Sequence, residues 1–137
     1  MLIAEELTYS IIGASHEVYK QLGFGFREHV YVKALERELR ARGHQVSREV
    51  SVVVMYKGHE LTTERMDMVV DDQVVVETKC TVRLEQSASR QLYNYLRATR
   101  IEVGLLLHFG VRGVGHFRLI YSNPTSSVIR KTSLPED

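Results

Sequence analysis

The chain has one cysteine, Cys80, in 137 residues, so it can form neither an internal disulfide nor a cysteine-rich zinc site. Net charge is nearly absent as well. Eighteen Lys and Arg against seventeen Asp and Glu give +1, which supplies no global pull toward nucleic acid or membrane; any anion-binding surface has to be local. No apolar run approaches the ~20 residues of a membrane span, and the opening Met1-Leu2-Ile3-Ala4-Glu5-Glu6 lacks the basic start of a secretory signal. A cytoplasmic protein with no membrane partner is the expectation. His16, His29, His44, His59, His108 and His116 form no pair at ligand spacing with a cysteine or carboxylate, which argues against zinc. A Gly-rich phosphate loop and a Gly-x-Ser-x-Gly elbow are both missing.

What is present is an ordinary globular mixture, 44% apolar and 26% charged, long enough for one domain with a real core and too short for two. Leu7, Ile11, Ala14 and Val18 recur at helical spacing over 4–21, and Gly23-Phe24-Gly25 stops that helix. A second helix is expected near 27–42, with Gly43 as its left-handed cap. Valines then dominate Val46 to Tyr56, and Lys57-Gly58-His59-Glu60 makes a hairpin turn. Strands are expected at Thr62 to Val70 and Val74 to Cys80, a helix over 84–99, a buried strand at Val103 to Phe109 and a last strand at Phe117 to Tyr121. The order is two helices, three strands as a meander, a helix and two strands, over 1–123. Residues 124–137 read as a loosely held tail.

Val74-Val75-Val76-Glu77-Thr78-Lys79 places two charges at the end of an apolar strand. Residues two apart share a face, so Glu77 and Lys79 point the same way. The hairpin before them decides their partner. If Asp71-Asp72-Gln73 is a three-residue loop, Val70 pairs with Val74 and Asp67 falls opposite Glu77, with carboxylates about 5 Å apart. A two-residue loop would pair Met66 with Glu77 and turn Asp67 to the other face. The longer loop is the better reading, because it buries Met66, Met68 and Val70 on one face and gathers Asp67, Glu77 and Lys79 on the other. It does lack the glycine such turns prefer. Two acids and a lysine in this layout suit a metal-dependent phosphodiesterase centre.

Helical periodicity adds further polar residues to apolar stripes. At about 100° per residue, Glu28 lies in the stripe of Tyr31, Leu35 and Leu39. A carboxylate aimed inward needs a partner, a hydrogen bond or a cation; the plain alternative is a half-exposed first-turn acid favoured by the helix dipole. Glu36 and Glu38 fall outside the stripe as solvated charges. Gln91 sits close to the line of Leu84, Ala88 and Tyr95, either facing a site or as a satisfied buried amide. Arg83, Arg90 and Arg97 recur every seven residues as a basic edge, either for a nucleic-acid backbone or as a solvated face. His108 reads as structural, and Cys80 as a core thiol facing away from the acids.

These residues resemble the small GxxExxY proteins, assigned to the PD-(D/E)XK nuclease superfamily. The resemblance runs from Ile11-Ile12-Gly13-Ala14 through His16-Glu17-Val18 and Leu22-Gly23-Phe24-Gly25 to the naming motif Gly25-Phe26-Arg27-Glu28-His29-Val30-Tyr31. It continues through Tyr56-Lys57-Gly58, Arg65-Met66-Asp67, Val76-Glu77-Thr78-Lys79, Gln91-Leu92-Tyr93-Asn94-Tyr95-Leu96 and Val103-Gly104-Leu105-Leu106-Leu107, covering about residues 5 to 121. It implies an α/β fold with a restriction-endonuclease-like core, a central mixed sheet flanked by helices. It also implies catalytic roles for Asp67, Glu77, Lys79, Glu28 and Gln91. Met66 stands where the superfamily's motif has proline, and His108 where relatives often carry asparagine.

The implied chemistry is hydrolysis of DNA or RNA phosphodiesters, and self-association as a homodimer is common among relatives. Oxygen-only ligands suit Mg²⁺ or Mn²⁺, held by Asp67 and Glu77 with Glu28 assisting directly or through water. A binding or assembly module that keeps the nuclease fold without catalysis is the alternative, as the near-neutral charge and small surface allow. Hydrolysis of a small phosphodiester would use the same residues.

Overall fold

In the computed structural model, which describes residues 4–122, helices α1 (Glu5–Leu22) and α2 (Glu28–Ala41) come first. Strands β1 (Val46–Tyr56), β2 (His59–Val70) and β3 (Val74–Lys79) follow, then α3 (Gln86–Thr99), β4 (Val103–Phe109) and β5 (Val114–Ile120). The order is the expected one. The tail read over 124–137 lies outside the described residues. No helix among them is long and apolar enough to cross a membrane.

The strands form one mixed sheet in the order β1-β2-β3-β4-β5. Only β3 and β4 run parallel, and a parallel pair needs a long crossover, which α3 provides. The central strands are covered on both faces, and for that reason they read as unbroken apolar runs rather than alternating ones. On one face Ile11, Tyr31, Leu35 and Leu39 of α1 and α2 pack against Met68, Val70, Val76, Leu105 and Leu107. On the other, Leu92, Tyr95 and Leu96 of α3 pack against Val52, Val69, Val75 and Leu106. Contact there is close: a Cβ at Gly104 would stand 3.0 Å from the Leu92 side chain, so even an alanine would force Leu92 to give.

The β2–β3 connection is the three-residue loop, with Val70 paired to Val74. Its missing glycine is replaced by two aspartates that take positive φ, Asp71 at 52° and Asp72 at 56°, a conformation short polar side chains tolerate. Asp71 is fastened on both sides. Its amide donates to Gln45 O at 2.8 Å, Oδ1 accepts the Gln45 amide at 2.8 Å, and Oδ2 lies 2.7 Å from His44 Nδ1. His44 Nε2 in turn lies 2.8 Å from Ser10 Oγ, so one chain of bonds joins α1, the α2–β1 connection and the turn. The position of His44 follows from the end of α2: Gly43 at φ 93° lets Gly43 N bond Arg40 O and His44 N bond Leu39 O, a Schellman cap.

Four expectations need correction. The β1–β2 turn has two residues rather than four, because Lys57 and Gly58 both take positive φ, 49° and 81°, which is the hairpin turn whose twist matches the strands; Tyr56 then pairs with His59. Strand β5 starts at Val114, three residues early, its first half disguised by Gly115 and His116. Helix α3 begins at Gln86, leaving Arg83 and Leu84 in the preceding segment. Met66 does not join Met68 and Val70 but packs on the α3 side. Glu49 opposite takes φ 53°, and the rung between Arg48–Met68 and Val50–Met66 is missing, so side-chain alternation breaks at Asp67.

Candidate active site

The β2–β3 ladder ends at Met68 and Val76, and one residue further on the two strands are joined by carboxylates instead. The Asp67 amide donates to Glu77 Oε2 at 2.8 Å. In return Asp67 Oδ2 accepts the Thr78 amide at 2.8 Å and the Thr78 hydroxyl at 2.9 Å. Each acid thus caps the backbone of the opposite strand with one oxygen, which leaves its second oxygen for another partner. The facing of Asp67 and Glu77 expected from the loop length is present, although side chains rather than a ladder rung make the link.

Glu77 is only 5% exposed, and that burial decides its electrostatics. Desolvation, followed by the Asp67 charge, pushes its carboxyl up to about 8, against the bond from the Asp67 amide and the Lys79 charge. Glu28 is raised too, by burial first and then by Asp67, with which it shares a side-chain hydrogen bond. Two carboxyls in such contact need a proton or a cation between them.

Glu28 is brought there by the loop before it. Gly23 and Gly25 take φ 70° and 119°, turning the chain out of α1. Tyr31, fully buried and stacked on Phe109 at 4.6 Å, then fastens the loop: its hydroxyl donates to Gly23 O and accepts the Phe26 amide. The spacing of Gly25, Glu28 and Tyr31 is therefore a device in which the tyrosine holds the glycine loop so that the acid opens α2. As a first-turn residue Glu28 also meets the favourable end of the helix dipole, so its position suits the plain reading of a helix-start acid as well as the inward one.

Lys79 lines a cavity of about 700 Å³ together with Arg83, Ser87 and Gln91, and its charge acts on both Glu77 and Glu28. Gln91 also lines a second cavity of about 880 Å³, shared with Arg90 and Arg97. The three arginines do not form one helical row, since Arg83 precedes α3. His108 Nε2 lies 2.7 Å from Thr81 O and holds the segment after β3. Cys80 packs at the edge of the core under α1 and α2, where burial first, and then the charges of Glu28 and Asp67, raise its thiol. It is nearer the acids than strand alternation implies.

Tyr95 is the residue that periodicity hid. Its ring fills the core stripe, while burial and then Glu77, Glu64 and Asp67 push its hydroxyl up to about 12. Its position one turn after Gln91 on the same face was the available signal. Among the described residues no three His, Cys, Asp or Glu side chains are arranged to hold a metal ion unaided. The donor set nevertheless fits a hard divalent cation of the Mg²⁺ type, which takes one or two carboxylates and completes its shell with water and phosphate oxygens.

Residues 5–119, from α1 into β5, match the PD-(D/E)XK nuclease superfamily. The chain belongs to that superfamily. The crystal structure of SSO0001 shares its fold at TM-score 0.56 and 18% identity, over 71% of this chain and 52% of that one; the chain spans about half the length of that relative. An alkaline exonuclease (LHK-Exo) from Laribacter hongkongensis aligns at TM-score 0.52 and 12% identity, over 96% of this chain and 77% of the other. No curated protein matches the sequence. Members of the PD-(D/E)XK nuclease superfamily usually use divalent metal ions and act on nucleic acid.

Proposed function

We propose that the protein is a metal-dependent nuclease of the GxxExxY type that hydrolyses phosphodiester bonds of DNA or RNA. The observation that carries this reading is the interrupted ladder, where Asp67 and Glu77 cross between strands beside Lys79 and Glu28. Burying acids beside one another costs free energy unless something positive occupies the site in use. The likeness to an alkaline exonuclease supports the same reading.

Asp67 and Glu77 would hold Mg²⁺ or Mn²⁺, and Glu28 would assist directly or through water. When bound, such an ion supplies charge neutralisation on the phosphate and lowers the pKa of a water. Lys79 Nζ then orients the attacking water and stabilises charge on the phosphoryl oxygens. The Gln91 amide and the Tyr95 hydroxyl supply neutral donors on the α3 side.

The test is cleavage of single-stranded, duplex and branched DNA and RNA across Mg²⁺ and Mn²⁺ titrations. Asp67→Asn and Lys79→Ala should each lower the rate by about 10²-fold or more. Intact substrates under all these conditions would leave the alternative of a binding module that keeps the fold without catalysis. Calorimetry separates the two readings, since a binding module has no need of Mn²⁺ at Asp67 and Glu77.

A further inference from the structure

Beside the acid cluster, between α3 and the outer part of the β1–β2 hairpin, runs a trough of about 880 Å³ whose two walls differ in kind. The α3 wall carries Arg90, Asn94, Arg97 and Arg100, whereas the facing wall carries Val52, Val54, Met55, Thr62 and Glu64. The cations of the lining stand on one side, and the charge on the other side is an acid. Ser87 and Gln91 belong both to this trough and to the cavity around Lys79 and Arg83, so the trough opens into the catalytic centre.

This asymmetry selects a ligand geometry. A duplex lying in a cleft presents a phosphate backbone to each wall and is held best by cations on both. A single strand carries its phosphates along one edge and its bases along the other, and it fits a charged wall facing an apolar one. Here the apolar wall is open: Val54 is 36% and Met55 56% exposed. On the charged wall the Arg90 guanidinium lies 5.8 Å from the Tyr93 ring. Glu64 repels phosphate from the hairpin side and so reinforces the orientation. From Ser87 to Arg100 the helix rise gives about 20 Å, room for a few nucleotides and no more.

We propose that the trough binds a single strand of nucleic acid, with phosphates along Arg90, Arg97 and Arg100 and bases against Val54 and Met55, and leads it to Asp67, Glu77 and Lys79. The delivery step rests on the nuclease reading; the binding step does not. The test is fluorescence anisotropy of labelled oligonucleotides, single-stranded and duplex, DNA and RNA, with the wild-type protein in EDTA so that nothing is cleaved. Single strands should bind about 10-fold or more tighter than duplexes of the same sequence, and Val54→Ser with Met55→Ser should weaken single-strand binding about 5-fold or more through lost base contact. Arg97→Gln should flatten the salt dependence by about 0.7 in slope, the loss of one phosphate contact on a single strand. Equal or tighter duplex binding would overturn the proposal, as would a hairpin variant that melts like wild type and binds unchanged. Wild-type cleavage assays keep the two readings apart. Single-strand binding without cleavage under any metal leaves the trough and removes the nuclease; cleavage of duplex with no single-strand preference does the reverse.

Discussion

The two ends of the β2–β3 hairpin each hold a buried or half-buried carboxylate, and the two titrate in opposite directions. At the turn, burial alone would raise Asp71, but the Gln45 amide and His44 outweigh it and hold the carboxyl below its usual value of 3.8. At the open end, burial and the neighbouring Asp67 charge dominate, and Glu77 rises from 4.5 to about 8. The turn end is built from donors that reward ionisation. The open end is built from acids that penalise it. The difference sets a bonded, ionised acid at one end against crowded, buried acids at the other, and the proposed cation belongs at the second.

The sign of each contribution follows. Glu77 binds a proton more tightly folded than unfolded, so its contribution to stability is complete below about 4.5 and is lost as pH rises through about 8. Asp71 contributes above 3.8, and its contribution is lost as pH falls through its lowered folded value. Replacing Glu77 by Gln removes the first dependence and gives the largest effect. Cleavage should disappear, while metal-free stability at pH 8 should rise by a few kcal/mol, read as a melting temperature that declines less between pH 5 and 8 than that of the wild type. A variant that melts no higher than wild type at pH 8 would contradict the poised-acid account. Asp71→Ala acts at the other end. Losing its bonds to His44 and Gln45 should cost about 1–3 kcal/mol in urea unfolding, and because the turn sets the register, activity should fall with it.

A third variant tests whether the open end depends on the glycine loop. Tyr31→Phe keeps the stacked ring and removes the hydroxyl that bridges Gly23 and Phe26; it should cost about 1–2 kcal/mol and slow cleavage by releasing Glu28. A loss of stability with unchanged activity would uncouple Glu28 from the chemistry. The smallest effect belongs to Met55→Ser, at the tip of the hairpin and 56% exposed. It should change unfolding free energy by less than about 0.5 kcal/mol.

Element order and the register of the site were legible because both rest on period and loop length. Val74 to Val76 between polar neighbours could only be a central strand, and three residues at 71–73 put Asp67 opposite Glu77. Met66 went astray because the break in alternation comes from Glu49 on another strand, at positive φ, and no local pattern in β2 records it. Tyr95 was hidden by its own chemistry: a tyrosine in an apolar stripe satisfies the core with its ring, and periodicity says nothing of the acids whose charge reaches its hydroxyl. The walls of the trough were half visible. Arginine spacing gave a basic edge, but Arg83 lies outside the helix and Arg100, at its C-terminal cap, falls outside the seven-residue spacing. Which surface faces that edge is a property of the hairpin's reach and twist, which strand periodicity does not encode.

The most direct measurement of the central claim is isothermal titration calorimetry of Mn²⁺ into the wild-type protein at pH 8, repeated on Asp67→Asn. Binding by the wild type, with release of protons from the acid cluster and loss of that binding in Asp67→Asn, is the result the account predicts. No binding by the wild type, or equal binding by the two proteins, would contradict it.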